Sequence, residues 1–270
     1  MSRISELHKG LLGAIPFVAL LLAWQTATFF EWVQPYFLPT PRAVVTSIYE
    51  LVATGTLWIH LTDSAVRIVL GFVLAMVTGI PIGILFGIVP TFRRIFEPFN
   101  NFFRYTPLPA FIPLVIMWVG IGTANPVTLV FLSVFWPLIV LVGDSVSNVP
   151  FQYIEMARTL GLRRLGSLFR VIVPASLPGI FDALRVSAGF AWASVILAEI
   201  SGATTGLGHI LMEAQRFLNS DTVIGGIILL GTLGVLTDLS FSYAYRILFP
   251  WTERERRRKR ESTHTYATAS

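Results

Sequence analysis

The chain has 270 residues, of which 54% are hydrophobic and only 13% charged, against about 25% charged in ordinary soluble domains. At a mean hydropathy of +0.70 it carries more apolar surface than one water-soluble core of this length buries, which leaves a membrane protein. It has no cysteine, which excludes disulfides, thiolate metal sites and cysteine nucleophiles, and its net charge of +5 needs a topological or a nucleic-acid explanation.

A spanning helix needs roughly 20 mainly apolar residues. After a tail at 1–10, the run 11–30 meets that length and lacks an evident small-residue cleavage site, so it is expected to stay as the first span. "FLPTPRAVVTSIYELV" predicts a proline-bracketed turn and then an amphipathic helix over 42–53, lying along the outer surface. His60 and Arg67 fall in the outer loop ahead of the charge-free run 68–89, the second span. Between 105 and 143 there is no charge at all, too long for one helix, and "GIGTANP" at 120–126 supplies the turn between spans three and four. Pro107, Pro109 and Pro113 break or kink the third. Two weaker runs follow, 181–200 with Asp182, Arg185 and Glu199, and 222–249 with Asp238 and Arg246. Weakly apolar spans are shielded by protein, so both are expected in the interior or at a subunit contact. Asp238 is expected to pair with Arg246, and Asp182 with Arg185, in structural roles. The result is an all-α membrane protein with a six-span domain over 11–249 and a basic tail over 250–270.

The basic residues decide the orientation. Arg3, Lys9, Arg93, Arg94, Arg158, Arg163, Arg164, Arg170, Arg254, Arg256, Arg257, Arg258, Lys259 and Arg260 fall on one side, with Arg104, Arg185 and Arg246 at helix ends on that side. Arg42, Arg67 and Arg216 are left on the other. Such asymmetry puts both termini in the cytoplasm. The run "RERRRKRE" then reads as an anchor touching anionic lipid, not as a nucleic-acid site. "STHTYATAS" reads as disordered. Trp24, Trp32, Trp118, Trp136 and Trp251 fit aromatic belts at the interfaces.

"EMARTLGLRRLGSLFRVIVPASLP", at 155–178, is unusual in so apolar a chain because it carries four arginines. Pro150 suits a first helical turn, and Phe151, Ile154, Ala157 and Leu160 recur every three residues as one stripe. Gly161 can adopt the left-handed conformation that ends a helix. A second short helix carries Leu165, Leu168, Phe169 and Ile172 opposite Arg163, Arg164 and Arg170, and Pro174 and Pro178 are expected to stop it before span five. A helix corner with an apolar face and a charged rim fits a groove on a soluble partner, or a rest on lipid headgroups.

The pattern Glu155, Ala157, Gly161, Pro174 resembles the "EAA" loop of ABC-importer permeases, E-A-A-x3-G-x9-I-x-L-P, with Met156, Val171 and Val173 as departures. "FLPTPRAVV", "TLWIHLTDSAVRIVLGF", "GIPIGILFGI", "PLPAFIPLVIMWVGIG", "GLGHIL" and "PWTE" are similar to the nitrate/sulfonate/taurine branch of that family, with taurine permeases nearest, over 34–253. The resemblance implies a six-span type I ABC-importer permease fold in a bacterial inner membrane. Its partners would be a second copy, a cytoplasmic ABC ATPase dimer, a periplasmic or lipid-anchored substrate-binding protein, and membrane lipid, without nucleic acid. It makes 150–178 the coupling loop. Glu155, Ala157, Arg158, Gly161, Arg163, Arg164 and Pro174 would engage the ATPase, Gly161 making a corner where a Cβ would clash. For the arginines, plain placement on the positive side fits equally. The solute would be taurine, an alkyl sulfonate, nitrate or a similar small molecule.

The sequence holds no G-x4-G-K-[ST] loop, since its two lysines are Lys9, before Gly10, and Lys259, before Arg260. The chain itself therefore needs no cofactor, and ATP belongs to a partner. It has no H-E-x-x-H or G-x-S-x-G, so no catalytic residue and no metal site is assigned. Ser187, Ser194 and Thr204 are candidates for lining a pathway, although helix-to-helix hydrogen bonding explains them as well. Glu199 would line that pathway or brace an outer gate through Ser201, Thr204 or Thr205, or else sit solvated at the interface. Gly202, Gly206 and Gly208 suggest an irregular or re-entrant piece beside it. Glu199 or Asp238 could instead serve a proton-driven secondary transporter, for which the inverted repeats are not found.

Overall fold

The computed structural model describes residues 2–252, with side chains from Ile15 onward. The basic run at 254–260, the terminal "STHTYATAS" and His264 lie outside the described residues, as do the side chains of Arg3, His8 and Lys9. Eleven α-helices follow one another: α1 (Ser2–Phe29), α2 (Pro41–Ala53), α3 (Thr56–Ile88), α4 (Pro90–Tyr105), α5 (Ile112–Val119), α6 (Ala124–Ser147), α7 (Phe151–Thr159), α8 (Arg164–Ser167), α9 (Val173–Ile200), α10 (Leu207–Arg216) and α11 (Ser220–Leu248). Among the described residues four stretches are long and apolar enough to cross a membrane: α3, α6, the continuous Arg164–Ile200 and α11. A fifth forms if α4 and the Leu108–Val119 piece, bent by 90°, count as one. α1 contributes a shorter apolar segment, Ile15–Phe29.

The core is α3 packed on α6, with α9 across both. A small residue stands every fourth position along α3, at Gly71, Ala75, Gly79, Gly83 and Gly87. A Cβ at Gly83 would lie 2.7 Å from that of Val142 and 2.9 Å from the Ile139 carbonyl oxygen. The two helices therefore touch backbone to side chain, the contact that drives helix association where burial from water supplies no force. Gly71 meets Val130 and Gly87 meets Val146 in the same register, so α3 and α6 run parallel. Val130, Val134, Leu138 and Val142 of α6 are sealed by Ala75 and, from α9, by Ala191 and Val195.

The helix over 42–53 forms as α2, opened by Pro41 and capped by Thr40, whose Oγ1 accepts a hydrogen bond from the Ala43 amide at 3.2 Å. Val44 and Ser47 are buried, and Ser47 meets Thr222 of α11 at 2.9 Å. The turn at 120–126 is made by Gly120 and Gly122, both at positive φ. Two expectations need correction. The second span begins at Thr56, not Ile68, so His60 and Arg67 stand on α3 itself. Pro174 and Pro178 do not stop the second cytoplasmic helix, which runs into span five through a π turn, Leu168–Ile172. The wider turn gives Pro174 a place where its missing N–H and its ring clash with the preceding turn are absorbed. Of the two places expected for the weak spans, α9 takes the interior, whereas α11 is peripheral within the chain, buries only Gly225 and is left with the subunit contact.

Candidate functional site

Three places gather polar side chains on this frame. The first is the elbow between α7 and α8, at one end of the bundle. Gly161 takes φ +78°, the Gly161 amide donates to the Arg158 carbonyl at 2.9 Å and the Leu162 amide to the Ala157 carbonyl at 3.0 Å. These paired bonds form a Schellman motif, which satisfies the last carbonyls of α7 and turns the chain. Among the described residues nothing beyond its chain neighbours lies within 4 Å of a Cβ built at Gly161, so glycine is required there by its φ, not by a clash. Ala157 is buried against the chain. The expected stripe does not stay together: Phe151 and Leu160 are exposed, as are Met156, Leu165 and Phe169. Glu155, Arg158, Arg163, Arg164 and Pro174 are exposed around them.

The second place is at the opposite end, where α3, α9 and the start of α10 meet. Glu199 is 1% exposed. Its carboxylate accepts from Arg67 Nη1 at 2.7 Å, from Ser64 Oγ at 2.8 Å and from the Gly208 amide at 2.9 Å. Arg67 also donates to the Thr205 carbonyl at 2.6 Å and, from Nη2, to Thr205 Oγ1 at 2.8 Å. Ser64 Oγ accepts from the Leu207 amide, and His60 Nδ1 from the Gly206 amide, both at 2.9 Å. The opening amides of α10, which have no partners within their own helix, are thus capped by side chains of α3 and α9, and Glu199 puts a negative charge at the positive end of that helix. Gly206, at φ +115°, passes so close that a Cβ there would lie 2.2 Å from the Glu199 carboxyl carbon. The Glu199 carboxylate is thus braced inside the chain, and its partners differ from those expected. Ser201 is exposed and bonds to its own helix at Leu197, Thr204 is exposed, and Thr205 reaches Glu199 only through Arg67. Arg67 is buried.

The third place is a cavity of about 620 Å³ opened by the bend after α4. Its walls come from the end of α4, the Leu108–Phe111 turn, α6 and α9. Ser194, hydrogen-bonded to Ser133 at 2.8 Å, lines it, whereas Ser187 is fully buried elsewhere. Arg104 and Trp136 also line it: Arg104 stands at a helix end, in the last turn of α4, as its sequence position suggested, and Trp136 at the middle of α6. Arg185 pairs with Asp238 of α11 at 2.5 Å, a cross-helix pairing that was not among those expected. The i, i+4, i+7 spacing of His60, Ser64 and Arg67 could have disclosed a polar helix face, but the apolar run beginning at Ile68 hid the helix that carries it.

The whole chain can be placed among known proteins. Residues 79–254 match the family described as binding-protein-dependent transport system inner membrane component. The taurine transport system permease protein TauC of Escherichia coli K12 is 35% identical over 237 residues, 86% of each chain. The putative aliphatic sulfonates transport permease protein SsuC of the same organism is 34% identical over 250 residues, 92% of this chain and 95% of that one. A chain of the MetNI methionine ABC transporter, in an inward-facing form, superposes with a TM-score of 0.65 at 20% identity, over 72% of this chain and 97% of its own, which shows the shared fold. The chain belongs to the binding-protein-dependent inner membrane component family and is a multi-pass ABC-importer permease, the non-catalytic membrane subunit of such a system.

Proposed function

We infer that two copies of this chain form the alternating-access pathway of an ATP-driven importer for a small anionic or zwitterionic solute, of the class of taurine, an alkyl sulfonate or nitrate. A periplasmic or lipid-anchored binding protein delivers the solute, and two ATPase subunits seat on the elbows at Gly161. The observation that carries this reading is the elbow itself: a hydrogen-bonded corner presenting Phe151, Met156, Leu160, Leu165 and Phe169 to solvent, ringed by arginines, in a chain without a phosphate-binding loop. Apolar side chains so exposed outside the spans fit a groove on a partner. Counting α1 and the bent α4–α5 pair as one span each gives six with α3, α6, α9 and α11, and puts both termini on the elbow's side, the cytoplasm.

In operation, ATP-driven closure of the ATPases draws the two elbows together. Because α8, the π turn and α9 are continuous, the movement passes along α9 into the core and switches the cavity's access. Reversing a two-state population needs roughly 5.5 kcal/mol of differential binding, which ATPase closure has to supply. A proton-driven alternative finds little support, since Glu199 is held by three donors on two elements and Asp238 is paired with Arg185. The test is uptake in cells or vesicles together with purification: transport should stop on ATP depletion, persist with an uncoupler, and an ATPase should copurify. Uptake that follows the proton gradient and survives ATP depletion would sink the reading.

A further inference from the structure

We propose that the cavity at the end of α4 is a solute seat within the permease, in which Arg104 binds the anionic head of a sulfonate and the surrounding apolar walls hold its carbon stem. This rests on the importer reading above and adds to it a site of selection in the membrane subunit itself. Arg104 lies in the last turn of α4, and Trp136, which shares the cavity, stands halfway along α6. A cation at the middle of a spanning bundle is costly and is retained for a reason. Among the described residues Arg104 forms no ion pair: Nη2 donates to Asn101 Oδ1 at 3.1 Å and to Tyr105 Oη at 2.8 Å, and Nε is buried without a partner. Among the described residues no carboxylate lines the cavity, and the one formal charge they bring to it is positive. The two ion pairs that α9 makes, by contrast, are neutralised within the chain, buried Arg67 by Glu199 and the more exposed Arg185 by Asp238.

The other donors point to the same ligand. Trp136 Nε1 is likewise buried without a partner, and its ring is held flat against Phe103 at 4.7 Å. Ser133 and Ser194 bridge α6 and α9 on the same wall, with hydroxyls that can rotate. A guanidinium fork, an indole N–H and two hydroxyls suit an oxyanion of several acceptor oxygens. The rest of the lining is apolar, including Leu108, Phe111, Val186 and Phe190. Such walls favour an anion with a short carbon stem over a bare inorganic ion, and an aromatic face also suits the ammonium of an aminoalkyl sulfonate. At about 620 Å³ the cavity is within the range of small-molecule sites, roughly 300–1,000 Å³.

The experiment uses the intact permease–ATPase complex in detergent without binding protein, titrated with radiolabelled taurine and with ethanesulfonate and nitrate as competitors. The wild type should bind saturably, with ethanesulfonate the stronger competitor. Arg104→Gln should weaken binding about ten- to hundredfold, the loss expected of a charge-assisted hydrogen-bonded contact. Arg104→Lys should recover part of it, and Arg42→Gln, on exposed α2, should match wild type. If Arg104→Gln does not assemble, Trp136→Phe takes its place, with a smaller loss expected and an unchanged affinity counting against the seat. In parallel, the complete importer is reconstituted with ATP and its binding protein. Uptake in that system together with absent, or Arg104-independent, binding to the permease overturns the seat alone. No ATP-dependent sulfonate uptake by the wild type overturns the importer reading and the seat with it.

Discussion

The brace around Glu199 and the elbow around Gly161 stand at opposite ends of the same helical path and are finished to different degrees. At the brace, carboxylate, guanidinium, hydroxyl and helix amides find one another inside the chain, and Arg67 Nε is the polar atom left over. At the elbow the backbone is complete but the side chains are not, since Leu160 is 76% exposed and Glu199 only 1%. A buried polar cluster satisfied from within contributes to the fold of one chain. An ordered corner with apolar side chains turned outward is complete only when something else covers it. The same glycine requirement serves both places: at Gly206 positive φ combines with a close approach to Glu199, at Gly161 positive φ stands alone in open space.

The largest effect should come from splitting the buried pair. Glu199→Ala leaves Arg67 uncompensated and should lower stability by about 3–5 kcal/mol, read as thermal unfolding in detergent. The double variant Arg67→Met with Glu199→Leu should lose less than either single change, because it removes both charges. A double variant as damaged as the sum would mean that the cluster acts through packing alone. Next comes Gly206→Ala, whose Cβ meets the Glu199 carboxylate at an unfavourable φ; a loss of about 1–3 kcal/mol is expected. Gly161→Asp should cost about 1 kcal/mol or less, since aspartate tolerates the left-handed region, so the protein should reach the membrane yet fail to couple ATP hydrolysis to uptake. If that variant binds its ATPase and transports normally, the elbow is not the coupling point. Smallest in stability is Phe151→Ser with Leu160→Ser, expected to stay within about 0.5 kcal/mol of wild type while losing the ATPase on purification. These outcomes would keep fold and assembly apart at the two ends; a large stability loss from the last pair would merge them.

The spans were legible where long apolar runs met glycine or proline turns, as at 120–126, and the Gly161 corner was legible as a glycine set between an apolar stripe and arginines. The brace was not. Arg67 and Glu199 are 132 positions apart, and each alone looks like an interfacial charge until α3 is extended back to Thr56. The π turn was hidden for a related reason, since Pro174 reads as a stop and only a widened turn shows how the helix passes it. Arg104 stands at a helix end as expected, but its distance from an apolar run did not show where that end leads: α4 brings it beside the middle of α6 before Pro107 turns the chain. The four-residue stripe of small side chains on α3 was present in the sequence, but without the partner helix it is simply a glycine-rich span.

Because the chain has no cysteine, a single Leu160→Cys substitution gives one thiol at the tip of the elbow, available to a cross-linker joining maleimide to lysine-reactive ester. In the assembled importer the thiol should be reached by membrane-impermeant maleimide only from the cytoplasmic side, and the cross-linker should join the permease to its nucleotide-hydrolysing subunit. A thiol labelled from outside, or an intact complex in which no such adduct forms, would contradict the assignment of the elbow as the handle of a separate motor.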